Sequence, residues 1–181
     1  MNCTSLKYIK LPETLINIQG ESAFRNTIIE SINLDHVQEL GHVVFGNTKL
    51  KKVNLPSLTR IGNETFSNCH DLTEVEMTGP CTTRGTGVFS GCENLTKVTL
   101  SNDITGINQT WFKNCTSLSQ INLNNITTIS NNAFEGSGIT TVNAPNLTGD
   151  LAASAFYGCT SLTNVVNLGS ITSLCTSATR I

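Results

Sequence analysis

Charge is scarce in this 181-residue chain, where 13% of residues are Asp, Glu, Lys or Arg, against roughly a quarter in ordinary globular domains. Its 11 basic and 13 acidic residues leave a formal charge of −2. That balance lacks the basic stripe that nucleic acid demands and the polybasic patch that an anionic membrane surface attracts. Long apolar runs are missing as well: no stretch of about 18 apolar residues could serve as a membrane-inserting helix. The opening MNCTSLKYIK alternates apolar and polar residues, so it does not read as a signal-peptide h-region. Seven cysteines occur without one C-x-x-C pair. An odd count leaves one thiol out of any closed disulfide framework, and metal-ligand spacing is absent. No nucleophile–base pair or phosphate loop stands out, so the sequence points to no catalytic residue, no cofactor and no metal site.

What is present is repetition. FSNCHDLTEVEM (66–77), FSGCENLTKVTL (89–100), FKNCTSLSQINL (112–123) and FYGCTSLTNVVNL (156–168) are variants of one phrase, and NCTSLKYIKL opens the chain from Asn2. All seven phenylalanines fall on one ruler, Phe24, Phe45, Phe66, Phe89, Phe112, Phe134 and Phe156, at steps of 21, 21, 23, 23, 22 and 22. After each comes a polar turn and then an apolar trio of the form L-x-x-[IV]-x-L, such as Leu50/Val53/Leu55 or Leu118/Ile121/Leu123. The trio of the last unit, Leu162/Val165/Leu168, carries one extra residue and predicts a bulge. A second apolar pair usually follows, for example Leu58/Ile61 or Ile126/Ile129, but MTGPCTTRGTGVF (77–89) lacks it and gains glycines, which predicts an irregular coil there.

The turn has two lengths. Where the step from Phe to the first residue of the trio is six, the turn holds Cys69, Cys92, Cys115 or Cys159, with Cys3 in the same slot; where it is five, the turn holds Thr27, Thr48 or Ser137. A swap of Cys for Thr or Ser argues for a small side chain at a crowded inward bend, since thiol chemistry would not tolerate it. Reduced, buried thiols follow from this reading. Cys81 and Cys175 lie outside the slot and four coils apart, too far to bridge, and the Gly-rich surroundings of Cys81 predict that it is exposed. Gly62, Gly91 and Gly136 fall at turns where a positive φ is convenient.

One unit cannot bury its own apolar stripe, but stacked units bury each other's. The alternation within each trio is that of a short strand. With strands about 4.8 Å apart, eight coils would make a rod roughly 40 Å long.

The phrase N-C-T-S-L-x-x-I-x-L-P…L-x-x-I…A-F resembles the BspA-like leucine-rich repeat family. The match is best at 2–24, 66–77, 89–100, 112–134 and 155–168, and a looser form covers essentially the whole chain. The resemblance implies a right-handed leucine-rich-repeat superhelix of about eight coils of 21–23 residues. Short parallel strands would line one face, with turns or 3₁₀ segments opposite. It also implies a cell-surface or secreted, non-catalytic adhesion or interaction module with a protein or glycan partner. The whole of 1–181 reads as one solenoid domain that lacks complete caps, and open ends would allow end-to-end self-association. A structural spacer or self-assembling rod within a larger surface protein is the alternative.

The residues between the inward trio form two outward columns, the candidate binding face: Tyr8, Ser31, Lys52, Glu74, Lys97, Gln120 and Thr141, and beside them Lys10, Asn33, Asn54, Glu76, Thr99, Asn122 and Asn143. The plainer reading is that they are solubilising residues whose Asn and Thr ladders support stacking. His36, His42 and His70 fall at different phases of the repeat and match no ligand template, so they read as surface or turn residues. The 77–89 segment is a second candidate, as a local binding bulge.

Overall fold

A computed structural model describes residues 5–174 of the chain. Cys3 and Cys175 lie outside the described residues. The inward trios build one column of parallel strands: β1 (Tyr8–Ile9), β3 (Ser31–Ile32), β5 (Lys52–Asn54), β7 (Glu74–Met77), β9 (Lys97–Leu100), β12 (Thr141–Asn143) and β14 (Asn164–Asn167). The second apolar pairs build another: β2 (Asn17–Ile18), β4 (Glu39–Leu40), β6 (Arg60–Ile61), β8 (Thr83–Arg84), β10 (Gly106–Ile107), β11 (Thr128–Ile129), β13 (Thr148–Leu151) and β15 (Ser170–Leu174). The coils therefore carry strands on two faces rather than one, and no 3₁₀ or α-helix occurs among the described residues. Seven phenylalanine rungs give about seven turns where eight were expected, because the first unit enters without a phenylalanine of its own.

Register follows the sequence ruler. Lys52, Glu74 and Lys97 lie side by side, as do Val53, Val75 and Val98 beneath them. The hydrogen-bonded sheet in the first column is interrupted between β3 and β5 and again around 118–123, which forms no paired strand. The bulge predicted in the last trio is present: Val142 pairs with Val165 but Asn143 pairs with Asn167, leaving Val166 71% exposed.

The third side of each coil is the phenylalanine turn. The rings of Phe24 to Phe156 stack in single file, with neighbouring centroids 5.2–5.7 Å apart and planes within 18° of parallel. Six of the seven are buried, and Phe24 at the end of the file is half-buried. Backbone bonding in this turn runs forward: Phe24, Phe45 and Phe66 donate to the carbonyls of Val44, Thr65 and Val88 in the next coil, at 2.8–2.9 Å. On the strand faces it runs both ways: Glu30 donates back to Lys7 at 2.8 Å and Thr59 back to Gln38 at 2.8 Å, whereas Leu55 donates forward to Glu76 at 2.8 Å. Each coil is thus tied to both neighbours through groups that water would otherwise have to satisfy.

The Cys slot has a physical role. Each buried thiol donates to the carbonyl of the phenylalanine one coil back: Cys69 to Phe45 at 3.1 Å, Cys92 to Phe66 at 3.1 Å, Cys115 to Phe89 at 3.2 Å and Cys159 to Phe134 at 2.9 Å. Thr48 and Ser137 put hydroxyls in the same place and meet the neighbouring sulfurs of Cys69 and Cys159 at 3.2 and 3.4 Å. All five described cysteines are free and buried. Burial pushes the Cys115 thiol up to about 12 and Cys92 well above the ordinary thiol range.

Two expectations need correction. Cys81 is fully buried, not exposed, and desolvation raises its thiol to about 11. The reason is that the second pair of 77–89 keeps its place although it is no longer wholly apolar: Cys81 and Arg84 occupy it, and β8 continues the column with Arg84 registered against Ile61. Trp111 of the next coil fills the space left there, fully buried, with Nε1 donating to the Gly85 carbonyl at 2.8 Å. The second correction concerns Gly62. Gly91 and Gly136 have φ of +75° and +65°, whereas Gly62 is required by close approach, since a Cβ there would lie 2.5 Å from the backbone of Gly41.

Candidate functional site

Because successive side chains on a strand point to opposite faces, the residues flanking the inward valines and isoleucines emerge on the outer surface of the first column. All fourteen are at least partly exposed, Tyr8 at 67%. Tyr8, Ser31, Lys52, Glu74, Lys97 and Thr141 lie on strands, and so do Asn54, Glu76, Thr99 and Asn143. Lys10, Asn33, Gln120 and Asn122 lie outside them, so the face is not one continuous sheet.

The charged part of this face is organised from coil to coil. Glu30 lies between two lysines, 2.9 Å from Lys7 Nζ and 2.7 Å from Lys51 Nζ. Glu74 repeats the arrangement two coils on, 2.8 Å from Lys52 Nζ and bonded on its other side to Lys97, which also approaches Glu76 at 3.8 Å. Hydrogen bonds from the paired lysines lower each of these two carboxyls to about 2. Exposed pairs of this kind contribute little stability singly, yet they hold the lysine stems in register.

The neutral part has a different local chemistry. Asn33 and Asn122 use their Oδ1 atoms to accept from the backbone N–H two residues on, at 3.0 and 2.9 Å, closing the turn that follows the inward trio. Asn54 reaches across to Asp35 Oδ1 at 3.1 Å. These three asparagines therefore support the coil. Three shallow depressions lie along the column. One of about 330 Å³ is lined by Tyr8, Glu30, Ser31, Lys51 and Lys52. A second of about 290 Å³ spans the break between β3 and β5, with Ile32, Lys52, Val53, Asn54, Glu74 and Glu76 around it. The third, about 420 Å³, lies where β9 faces 118–123. Interruptions in the sheet thus coincide with surface relief, a feature that the regular repeat did not foretell.

His36, His42 and His70 are exposed. His42 Nδ1 accepts the Asn63 backbone N–H at 3.1 Å, and His70 Nδ1 lies 3.6 Å from Glu93. Among the described residues no three His, Cys, Asp or Glu side chains converge as a metal site, and no helix is long and apolar enough to cross a membrane.

Comparison with known proteins agrees with this architecture. The pattern of the BspA type leucine rich repeat region matches in six copies, over residues 1–92 and 38–163. A leucine-rich repeat protein of Bacteroides ovatus superposes with a TM-score of 0.79 at 26% identity, covering 95% of this chain and 45% of its own. A leucine rich cell surface protein of Faecalibacterium prausnitzii gives a TM-score of 0.47 at 21% identity, over 93% of this chain and 61% of that one. This chain therefore spans less than half the length of the Bacteroides ovatus protein. No curated protein matches it.

Proposed function

We propose, from the premise that the chain belongs to the BspA-type leucine-rich repeat family, that it is a non-catalytic interaction module of a cell-surface or secreted protein. It holds a protein or glycan partner on the outer face of its first strand column. The observation that carries this reading is the set of three depressions along that column, lined by the outward residues of successive coils. A partner spread over several coils would meet Tyr8 and the lysine–glutamate ladder at one end and Gln120 and Asn122 further along. Individually weak contacts can then sum over a standard-sized interface.

The test is to array the purified protein against extracellular proteins and glycans, beside a Tyr8→Ala/Thr99→Ala/Gln120→Ala variant. These three exposed side chains leave the core untouched. Binding by the native chain that the variant loses, at unchanged melting temperature, supports the reading. Binding equal in both removes the face from consideration. A spacer role is favoured by one observation: the charges on the face are neutralised along the stack, coil to coil, as they would be in a rod. In that case neither protein binds, and light scattering shows whether the chain assembles with itself.

A further inference from the structure

Arg84 is out of place. It occupies the position registered with Ile61, where interior coils of the second column bury an aliphatic side chain, yet it carries a charge. Its Nη1 donates to the Cys81 carbonyl at 3.0 Å, and its Nε–H is buried without a partner among the described residues. Among the described residues no carboxylate lies within salt-bridge distance of its guanidinium, although Lys7, Lys51, Lys52 and Lys97 are all paired. A half-buried guanidinium without a counter-ion is an unfavourable arrangement that a bound anion would relieve.

The neighbouring coils bring a second donor toward it. The strand column breaks after β8, where β8 and β10 are not paired. The Arg84 carbonyl accepts instead from Asn108 Nδ2, at 2.7 Å. The following coil presents Gly106. A Cβ there would lie 3.7 Å from Arg84 Nη2 and 2.6 Å from Thr128 Oγ1, so the guanidinium and the hydroxyl converge over the glycine from the coils on either side. We infer that Arg84, with Thr128 Oγ1 beside it, is a carboxylate-binding subsite on the second strand face, and that it takes an acidic side chain of a polypeptide partner. Nη2 and the threonine hydroxyl each donate to the carboxylate, a charge-assisted arrangement. A sugar acid fits less well, because Trp111, whose Nε1 is committed to the carbonyl of Gly85 next to Arg84, is fully buried and offers no face for a pyranose to stack on. This subsite stands apart from the first strand column and does not depend on it.

The test is an NMR titration of the ¹⁵N-labelled chain, reading the side-chain Nε–H of Arg84 and the amides of Gly106 and Thr128. The probes are N-acetyl-glutamate N-methylamide, the corresponding glutamine compound and galacturonate. The expected result is a saturable shift with the glutamate compound alone, weakened about tenfold by Arg84→Gln and less by Arg84→Lys. Thr128→Val, which leaves the core and the guanidinium in place, weakens it about threefold and keeps the proposal testable if the Arg84 variants fail to fold. Equal shifts with glutamate and glutamine compounds, or none with either, overturn the subsite. A stronger response to galacturonate overturns the assignment to a polypeptide.

Discussion

Replacing Phe112 with Ala is the sharpest test of how this array is held together. The ring is fully buried and lies between Phe89 at 5.7 Å and Phe134 at 5.4 Å, with Trp111 edge-on at 5.9 Å. Truncating a ring in such a site removes its transfer free energy and leaves a cavity, together about 3–5 kcal/mol. The lost aromatic contacts, each worth about 0.5–1.5 kcal/mol beyond area, place Phe112 toward the top of that range. Phe24 is the internal control: it is half-buried and stacks only on Phe45, at 5.3 Å, so Phe24→Ala should cost about 1–2 kcal/mol. Position matters as much as size. In a solenoid each coil contacts only its neighbours, and Phe112 has four rungs on one side and two on the other. Urea unfolding followed by circular dichroism reports the whole array, whereas fluorescence of Trp111, the single tryptophan, reports the damaged seam. The two curves should coincide in the native chain and separate in Phe112→Ala as the array splits. Coincident curves with a loss under about 1 kcal/mol, well below the cavity range, would refute the view that the phenylalanine file is the continuous core.

Three further outcomes follow from the geometry. Glu30 and Glu74 titrate at about 2 in the folded chain against an ordinary 4.5; their stabilising contribution is therefore complete above the ordinary value and lost as pH falls through the folded one. The urea midpoint should decline between those limits, and less steeply in Glu30→Gln/Glu74→Gln or in high salt. Glu64 sits at φ 53° with an exposed side chain, so Glu64→Gly should raise thermal stability by up to about 1 kcal/mol. Gly91→Ala, at φ +75° with its new Cβ 2.2 Å from Asn68 Oδ1, should lower it by about 1–3 kcal/mol, and changes of the same sign would contradict both assignments. In a Cys3→Ser/Cys175→Ser background, the thiols of Cys81, Cys92 and Cys115 should resist alkylation at neutral pH until the chain unfolds, as their raised pKa values require; rapid labelling by mass spectrometry would show that the slot is open.

The phenylalanine ruler, the inward trios and the small residue of the turn were legible in the sequence because each repeats the same residue type under the same constraint. Other features repeat a conformation without repeating a residue. Two residues before each phenylalanine the backbone is left-handed, yet the position holds Ser22, Val43, Glu64, Gly87, Thr110, Asn132 and Ser154 in turn. The surrounding hydrogen bonds impose the conformation whatever side chain is there, so no pattern marks it. Arg84 was hidden for another reason: a charged residue in a buried register looks like the absence of a strand. The breaks in the outer face, which shape the candidate site, depend on how neighbouring coils diverge, and periodicity carries no information about divergence.

The forward bonds of the phenylalanine turns and the parallel ladders of the strand faces recur from coil to coil, so most internal seams share one chemistry. Duplicating or deleting an entire unit away from the sheet breaks would therefore rejoin matching surfaces, with a ring meeting a ring and a thiol meeting a carbonyl. Smaller changes divide sharply by place. The turn already absorbs steps of 21 to 23 residues between rings, whereas one residue gained within a strand turns the following side chains to the opposite face, except at a bulge such as that beside Val166. The length of this protein is in that sense quantised: it can grow or shrink by whole coils, carrying its outward residues to new distances without redesigning its interior.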